Sequence, residues 1–268
     1  EELINNYPTV DGISINSKDK NILKSQILYK DGSIYLGEYV NSQEGRNGRG
    51  ILVCEDKSKY QGLWKKDMPN GKGKLTYPNG DFYIGEWRDG KANGQGKFVH
   101  ISGSVYEGSW KDNLQDGEGT EKWPDGSVFT GIYSKGQKKG KGIFIWNDGA
   151  KYEGEFDSNK INGEGKYLFK DNRKYVGHWK NNKMDGYGVF EWPDGRKYEG
   201  EYKNDKKDGE GELTWPDGRK YKGPWKDGKQ HGEGLFYSIK GNVWKKGIWE
   251  NGKRIKWLNE KVDIKEYK

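Results

Sequence analysis

Cysteine occurs once in the 268 residues, at Cys54, so no disulfide can form within the chain. Asn-x-Ser/Thr acceptor sites are absent as well, and both absences suit a reducing, intracellular setting. No run of about 18 apolar residues exists, which excludes a helical membrane span, and no signal-peptide pattern is visible. The sequence opens on Glu1 rather than Met, which leaves open a preceding segment or domain. Histidine is scarce: His100, His178 and His231 lie far apart and match no metal-ligand spacing. Neither G-x-x-x-x-G-K-[ST] nor G-x-G-x-x-G occurs, which removes two common phosphate cradles. Apolar residues make up only 31% against 33% charged, a balance that by itself points to disorder. The 14% of aromatic residues, with 12 Trp and 18 Tyr, argues the other way. Together these values fit a thin fold whose few apolar positions carry large rings. Such a fold lacks the deep interior in which catalytic groups usually acquire altered pKa values.

What the sequence does have is a rhythm. The heptad WPDGRKY begins at Trp192 and again at Trp215. An aromatic-x-Gly-x-aromatic unit recurs from Tyr35, Tyr60, Tyr83, Tyr106, Phe129, Tyr152, Tyr175, Tyr198 and Tyr221. The first step is 25 residues and every later one 23; a degraded tenth copy, KKGIW, starts at Lys245. Each copy also carries Gly-x-Gly, nine and eleven residues after its first glycine, as in Gly94/Gly96 and Gly186/Gly188, except in the first copy, where two extra residues in the loop around Gln43–Glu44 delay it. A Gly-containing turn such as YPNG, WPDG or WNDG follows. Two alternating runs separated by such turns read as strand, loop, strand, turn, so one copy is a β-hairpin.

Alternation along a strand puts Tyr106, Gly108 and Trp110 on one face and Glu107 and Ser109 on the other. A column of Leu52, Leu75, Phe98, Glu121, Phe144, Tyr167, Phe190, Leu213 and Phe236 shares the ring face, and only Glu121 breaks its apolar character. Glycine weakens a strand unless something fills the gap. Here the missing Cβ atoms make room for rings, and the rings cover bare backbone.

These residues resemble the MORN (membrane occupation and recognition nexus) repeat, over about residues 29–250. The resemblance implies an all-β fold, an elongated, twisted single antiparallel sheet of tandem hairpins. Residues 1–28 are expected to be an N-terminal cap, irregular apart from one degenerate strand, and residues 29–252 the array. Residues 253–268 are expected to be a C-terminal cap or tail, a short helix being one form of it.

Catalysis finds little support. Cys54 and His100 occupy aromatic slots, His178 lies on the polar face and His231 in a hairpin loop, with no base–nucleophile or carboxylate pairing. No enzyme activity, cofactor or metal is expected. Interaction surfaces are the stronger candidates. Opposite the rings, the first half carries Ile34, Leu36, Ile51, Val53, Leu63, Phe82, Ile84, Val99, Val105, Val128 and Ile132. A contiguous apolar surface calls for a cover: residues 1–22, a protein partner or a second copy of this chain. The second half has Lys and Glu there instead. Residues 215–257 hold 11 Lys/Arg against 4 Asp/Glu, whereas the rest of the chain balances. Arg219, Lys220, Lys222, Lys226, Lys229, Lys245, Lys246, Lys253, Arg254 and Lys256 therefore form a second candidate, for an anionic membrane or an acidic protein tail; nucleic acid is the weaker expectation.

Proteins resembling this family occur in ciliary radial spokes, cytoskeletal rings and membrane junctions. The resemblance thus implies a non-enzymatic scaffold bridging proteins in a cytoskeletal or axonemal assembly. The alternative it implies is a phosphoinositide-binding regulatory module, such as the repeat portion of a lipid kinase.

Overall fold

The computed structural model describes residues 23–40 and 43–261, so the expected cover by residues 1–22 lies outside the described residues. The fold is all-β: 22 strands in open antiparallel sheet, with no α-helix among the described residues. The chain divides into two compact units, Glu1–Gln137 and Lys138–Lys268. Within the first unit, Leu23–Leu28 pairs with Ile34–Tyr39, the place expected for a degenerate strand. Successive strands then pair in turn as far as Val128–Ser134. The second unit repeats the scheme from Gln137–Ile145 to Lys253–Lys261. Lys253–Lys261 is thus a strand, paired with Val243–Glu250, and not a helix. It lacks the repeat's glycines, but its alternation sets Arg254 opposite Trp249 and Trp257 opposite Gly247.

From the copy at Tyr60 onward the loop inside each hairpin is a two-residue turn; in the first copy six residues separate Tyr39 from its partner Arg46. Asn181 and Asn182 sit at φ 50° and 67°, the type I′ geometry whose twist matches that of the flanking strands. Asn tolerates this region because its short side chain bonds locally. Next comes a register shift between Gly177 and Trp179, where Gly186 at φ 106° provides the irregularity. Turns of adjacent copies are tied together: Asn182 N donates to Ile161 O at 2.9 Å, and Asn182 Oδ1 accepts from Ile161 N at 2.7 Å.

The core is one layer of rings on one face of each unit. Tyr35, Tyr152, Tyr175, Tyr198, Tyr221 and Phe129 are fully buried. Tyr83 shows the local logic. Its ring lies over Gly85 and Gly96, which face each other in register, and a Cβ at Gly96 would run into that ring. Its hydroxyl donates to Glu86 O at 2.9 Å. Trp87, four residues on, meets it edge-to-face at 5.1 Å, and Trp110 of the next copy does so at 5.0 Å. Trp87 Nε1 donates to Gly73 O at 3.1 Å, so the indole's one polar atom is satisfied. The same T-shaped alternation runs through Tyr152, Trp179, Tyr175, Tyr202, Tyr198, Trp225 and Tyr221 in the second unit.

Candidate interaction faces

Once the rings are committed to the core, the opposite face of each unit is what the hairpins leave free. In the first unit the register sets Ile34 against Val53 and Leu36 against Ile51. It also sets Phe82 against Val99 and Val99 against Val105, with Ile84 two residues along from Phe82. These are two separate clusters, and the expected contiguous surface is not formed. Between them run Lys59–Lys65 and Met68–Thr76, which present Lys59, Gln61, Lys74 and Thr76 to that face. Lys74 Nζ even lies 4.2 Å from the centre of the Phe82 ring. Leu63 is set apart opposite Arg49, Val128 opposite Lys122, and Ile132 opposite Glu118. The reason is geometric: side-chain direction alternates within a strand, but neighbours across strands depend on register, which a linear sequence does not display. Ile34, Val53 and Ile132 are each 37% exposed, more than a packed core residue allows.

The opposite face of the second unit carries opposed charges. Lys174 meets Glu191 at 3.0 Å, Lys197 meets Glu199 at 2.9 Å, and Lys220 meets Glu212 at 2.8 Å. Apolar residues stand among them that the sequence reading overlooked: Ile145 and Leu168 are both opposed to Lys151, and Val176 to Val189.

The ten basic residues near the C-terminal end do not form one patch. Lys220, Lys222, Lys246 and Lys256 lie on the charged face, and two of them already hold carboxylates, Lys220 with Glu212 and Lys246 with Glu233 at 2.9 Å. Lys245 and Arg254 lie on the ring face over Trp257, at 5.7 and 4.0 Å from its centre. Arg219 is held by Asp217 of its own loop at 2.6 Å. Lys226 opposes Lys229 at one two-residue turn, and Lys253 opposes Glu250 at the next.

Among the described residues, the titratable groups singled out in the sequence lie apart. His100 takes the loop position of Tyr77, with Nδ1 2.6 Å from Ser102 Oγ and Nε2 3.7 Å from Asp81. Asp81 also accepts from Ile101 N at 2.7 Å; that bond comes first among the interactions holding its carboxyl below the usual range. Cys54 takes the same loop position in its copy, its N–H bonded to Ser58 O. Glu121, the break in the apolar column, accepts from the Tyr133 hydroxyl at 2.9 Å. Tyr133 stands where other copies have Trp, so the carboxylate supplies a partner that an indole would not need. Burial first, then Glu121, raises the Tyr133 hydroxyl. Among the described residues no group of three or more His, Cys, Asp or Glu side chains could hold a metal ion.

The MORN repeat family model matches eight consecutive segments, from 60–82 to 221–243, which together cover most of the chain. The chain belongs to the MORN-repeat family. The copy at Tyr35 falls outside the matched segments, although Tyr35 is as fully buried as the central tyrosines. No curated protein matches the chain. Among solved structures, the TCP10 domain of Danio rerio CPAP, in complex with a STIL peptide, aligns at 11% identity and a TM-score of 0.47, covering 89% of this chain and 100% of that one. The TCP domain of Drosophila melanogaster SAS-4 (dCPAP), in complex with a proline-rich motif of Ana2, aligns at 14% identity and a TM-score of 0.34, covering 64% and 86%.

Proposed function

We propose that this chain is a non-enzymatic scaffold that holds protein partners through the two apolar clusters of its first unit, in a cytoskeletal or axonemal assembly. One observation carries the reading. The hairpins satisfy their own large rings internally, yet leave Ile34/Val53 and Phe82/Val99/Val105 paired on the side that the ring layer does not cover. Half-exposed apolar clusters rimmed by Lys59, Gln61 and Lys74 have the composition of a docking patch. Phe82→Asp tests it directly. Immobilised wild-type chain retains partners from a cytoskeletal extract, and the variant loses them while keeping its β-sheet circular dichroism and melting temperature. Full retention by a folded variant contradicts the reading.

A second reading, a phosphoinositide-binding regulatory module, draws support from Lys222, Lys226, Lys229 and Lys256, which face solvent outside any ion pair. Headgroup-selective vesicle binding that persists at physiological salt supports it. Binding that vanishes there leaves the scaffold.

A further inference from the structure

The two edges of the second unit handle their cations differently. At the longer loops, each arginine is held locally. Arg173 bonds Asp171 at 2.7 Å and lies over Phe169, and Arg196 bonds Asp194 at 2.8 Å and lies over Trp192. Arg219 bonds Asp217 and lies over Trp215. At the two-residue turns the arrangement is reversed. Lys180 is set directly opposite Lys183, Lys203 opposite Lys206, and Lys226 opposite Lys229, at three consecutive turns. All six are exposed, and only Lys206 has an ion-pair partner, Asp227 at 2.9 Å. Directly opposed like charges destabilise a strand pair.

Of the carboxylates nearby, Asp227 is held first by Lys206 and then by Lys226 and Lys203, which lower its pKa, while others accept backbone N–H groups. Asp205 Oδ1 accepts from Met184 N, Asp185 Oδ2 from Asn204 N, and Asp208 Oδ2 from Asp227 N. Asp157 lies 3.7 Å from Lys139. In the first unit the pattern is confined to one turn, where Arg88 opposes Lys91 and Lys91 reaches Asp112 at 3.7 Å, while Lys65 opposes Met68 and Lys111 opposes Leu114.

We infer that this turn edge of the second unit is a docking track for an extended acidic peptide, a surface independent of the apolar clusters. Two strands per hairpin place the lysine pairs about 9.6 Å apart. An extended chain advances about 3.3 Å per residue, so every third residue of such a peptide reaches a fresh lysine pair. Strand twist winds the edge, and a flexible chain follows a winding row where a flat bilayer reaches only part of it.

The experiment titrates fluorescein-labelled (Glu-Gly-Ser)8 with the whole chain at 50 and 150 mM NaCl and follows anisotropy. The inference predicts saturable binding, weakened at least tenfold by Lys180→Glu/Lys203→Glu/Lys226→Glu. A control with the same charge change, Lys220→Glu/Lys222→Glu/Lys246→Glu, shifts the affinity less than threefold. A peptide with equal charge but a Glu at every fifth residue binds severalfold more weakly. Equal losses in both triple variants, or no preference for spacing, reduce the effect to net charge and overturn the inference. Lysine-dependent binding to phosphatidylinositol bisphosphate vesicles without peptide binding overturns it in favour of a membrane. Phe82→Asp leaves the peptide titration unchanged, so this test and that of the scaffold fail separately.

Discussion

The two units share a ring face and differ on the face opposite. Tyr83 between Trp87 and Trp110 and Tyr175 between Trp179 and Tyr202 have the same edge-to-face geometry, at 5.0–5.3 Å. Behind those rings the first unit pairs Ile34 with Val53, while the second pairs Lys174 with Glu191. A hairpin array thus fixes its fold with one side and varies the other, because hydrogen bonds and ring contacts specify the register without help from the reverse face.

Glycine substitution puts the shared half of this comparison at greatest risk. Gly96→Val and Gly165→Val each force a side chain into a tyrosine ring, Tyr83 and Tyr152 respectively. Each is expected to destabilise its unit by about 3 kcal/mol in urea denaturation, since strand glycine leaves the ring no retreat. A large effect in one unit with none in the other breaks the equivalence.

A smaller effect separates two cations in the same slot. Arg46, in the first unit, lies 4.1 Å over Trp64 and bonds Asp67 Oδ1 through Nε at 2.6 Å. Lys207, in the second, lies 4.7–4.9 Å from the rings of Trp192, Tyr198 and Trp225, but Gly228 stands where Asp67 would be. Desolvation, and then the Arg196 cation, push the Lys207 ammonium down to about 8. The ring faces pull the other way, by about 1–2 kcal/mol. A pKa lowered on folding means that the unfolded chain binds the extra proton between about pH 8 and the ordinary lysine value. Stability therefore rises with pH across that window. Lys207→Met is expected to stabilise the protein by about 2 kcal/mol at pH 7, with the difference shrinking as pH climbs above 8. Parallel pH profiles for wild type and variant contradict this.

The third comparison is between two tyrosines that replace Trp. The Tyr133 hydroxyl donates to Glu121, whereas the buried Tyr202 hydroxyl has no hydrogen-bond partner. Tyr133→Phe is expected to destabilise by about 1 kcal/mol and Tyr202→Phe to be neutral or mildly stabilising, by thermal melting. The reverse order means that the hydroxyls play some other part.

Much of this was legible in the sequence, for a physical reason. The 23-residue period and the positions of Tyr83, Gly85 and Gly96 define the hairpin, because only glycine leaves space for the ring. Features set by register were not legible. Glu121 looked like a defect until the fold placed Tyr133 against it. The apolar list looked continuous until Lys59, Gln61, Lys74 and Thr76 came between its members. The basic run looked like one surface, although alternation sends Lys245 and Lys246 to opposite faces. The last strand was missed because Arg254 and Trp257 pair without the glycines that mark every other copy.

The division of labour between faces is tested most directly by melting the variant Leu36→Lys/Ile51→Glu/Phe82→Asp/Val99→Thr alongside the wild-type chain. The account predicts cooperative unfolding within about 4 °C of wild type, equivalent to about 1–2 kcal/mol for a chain of this size, together with loss of partner capture. A chain that no longer folds, or that melts tens of degrees lower, contradicts it, because the reverse face would then be part of what holds the hairpins together.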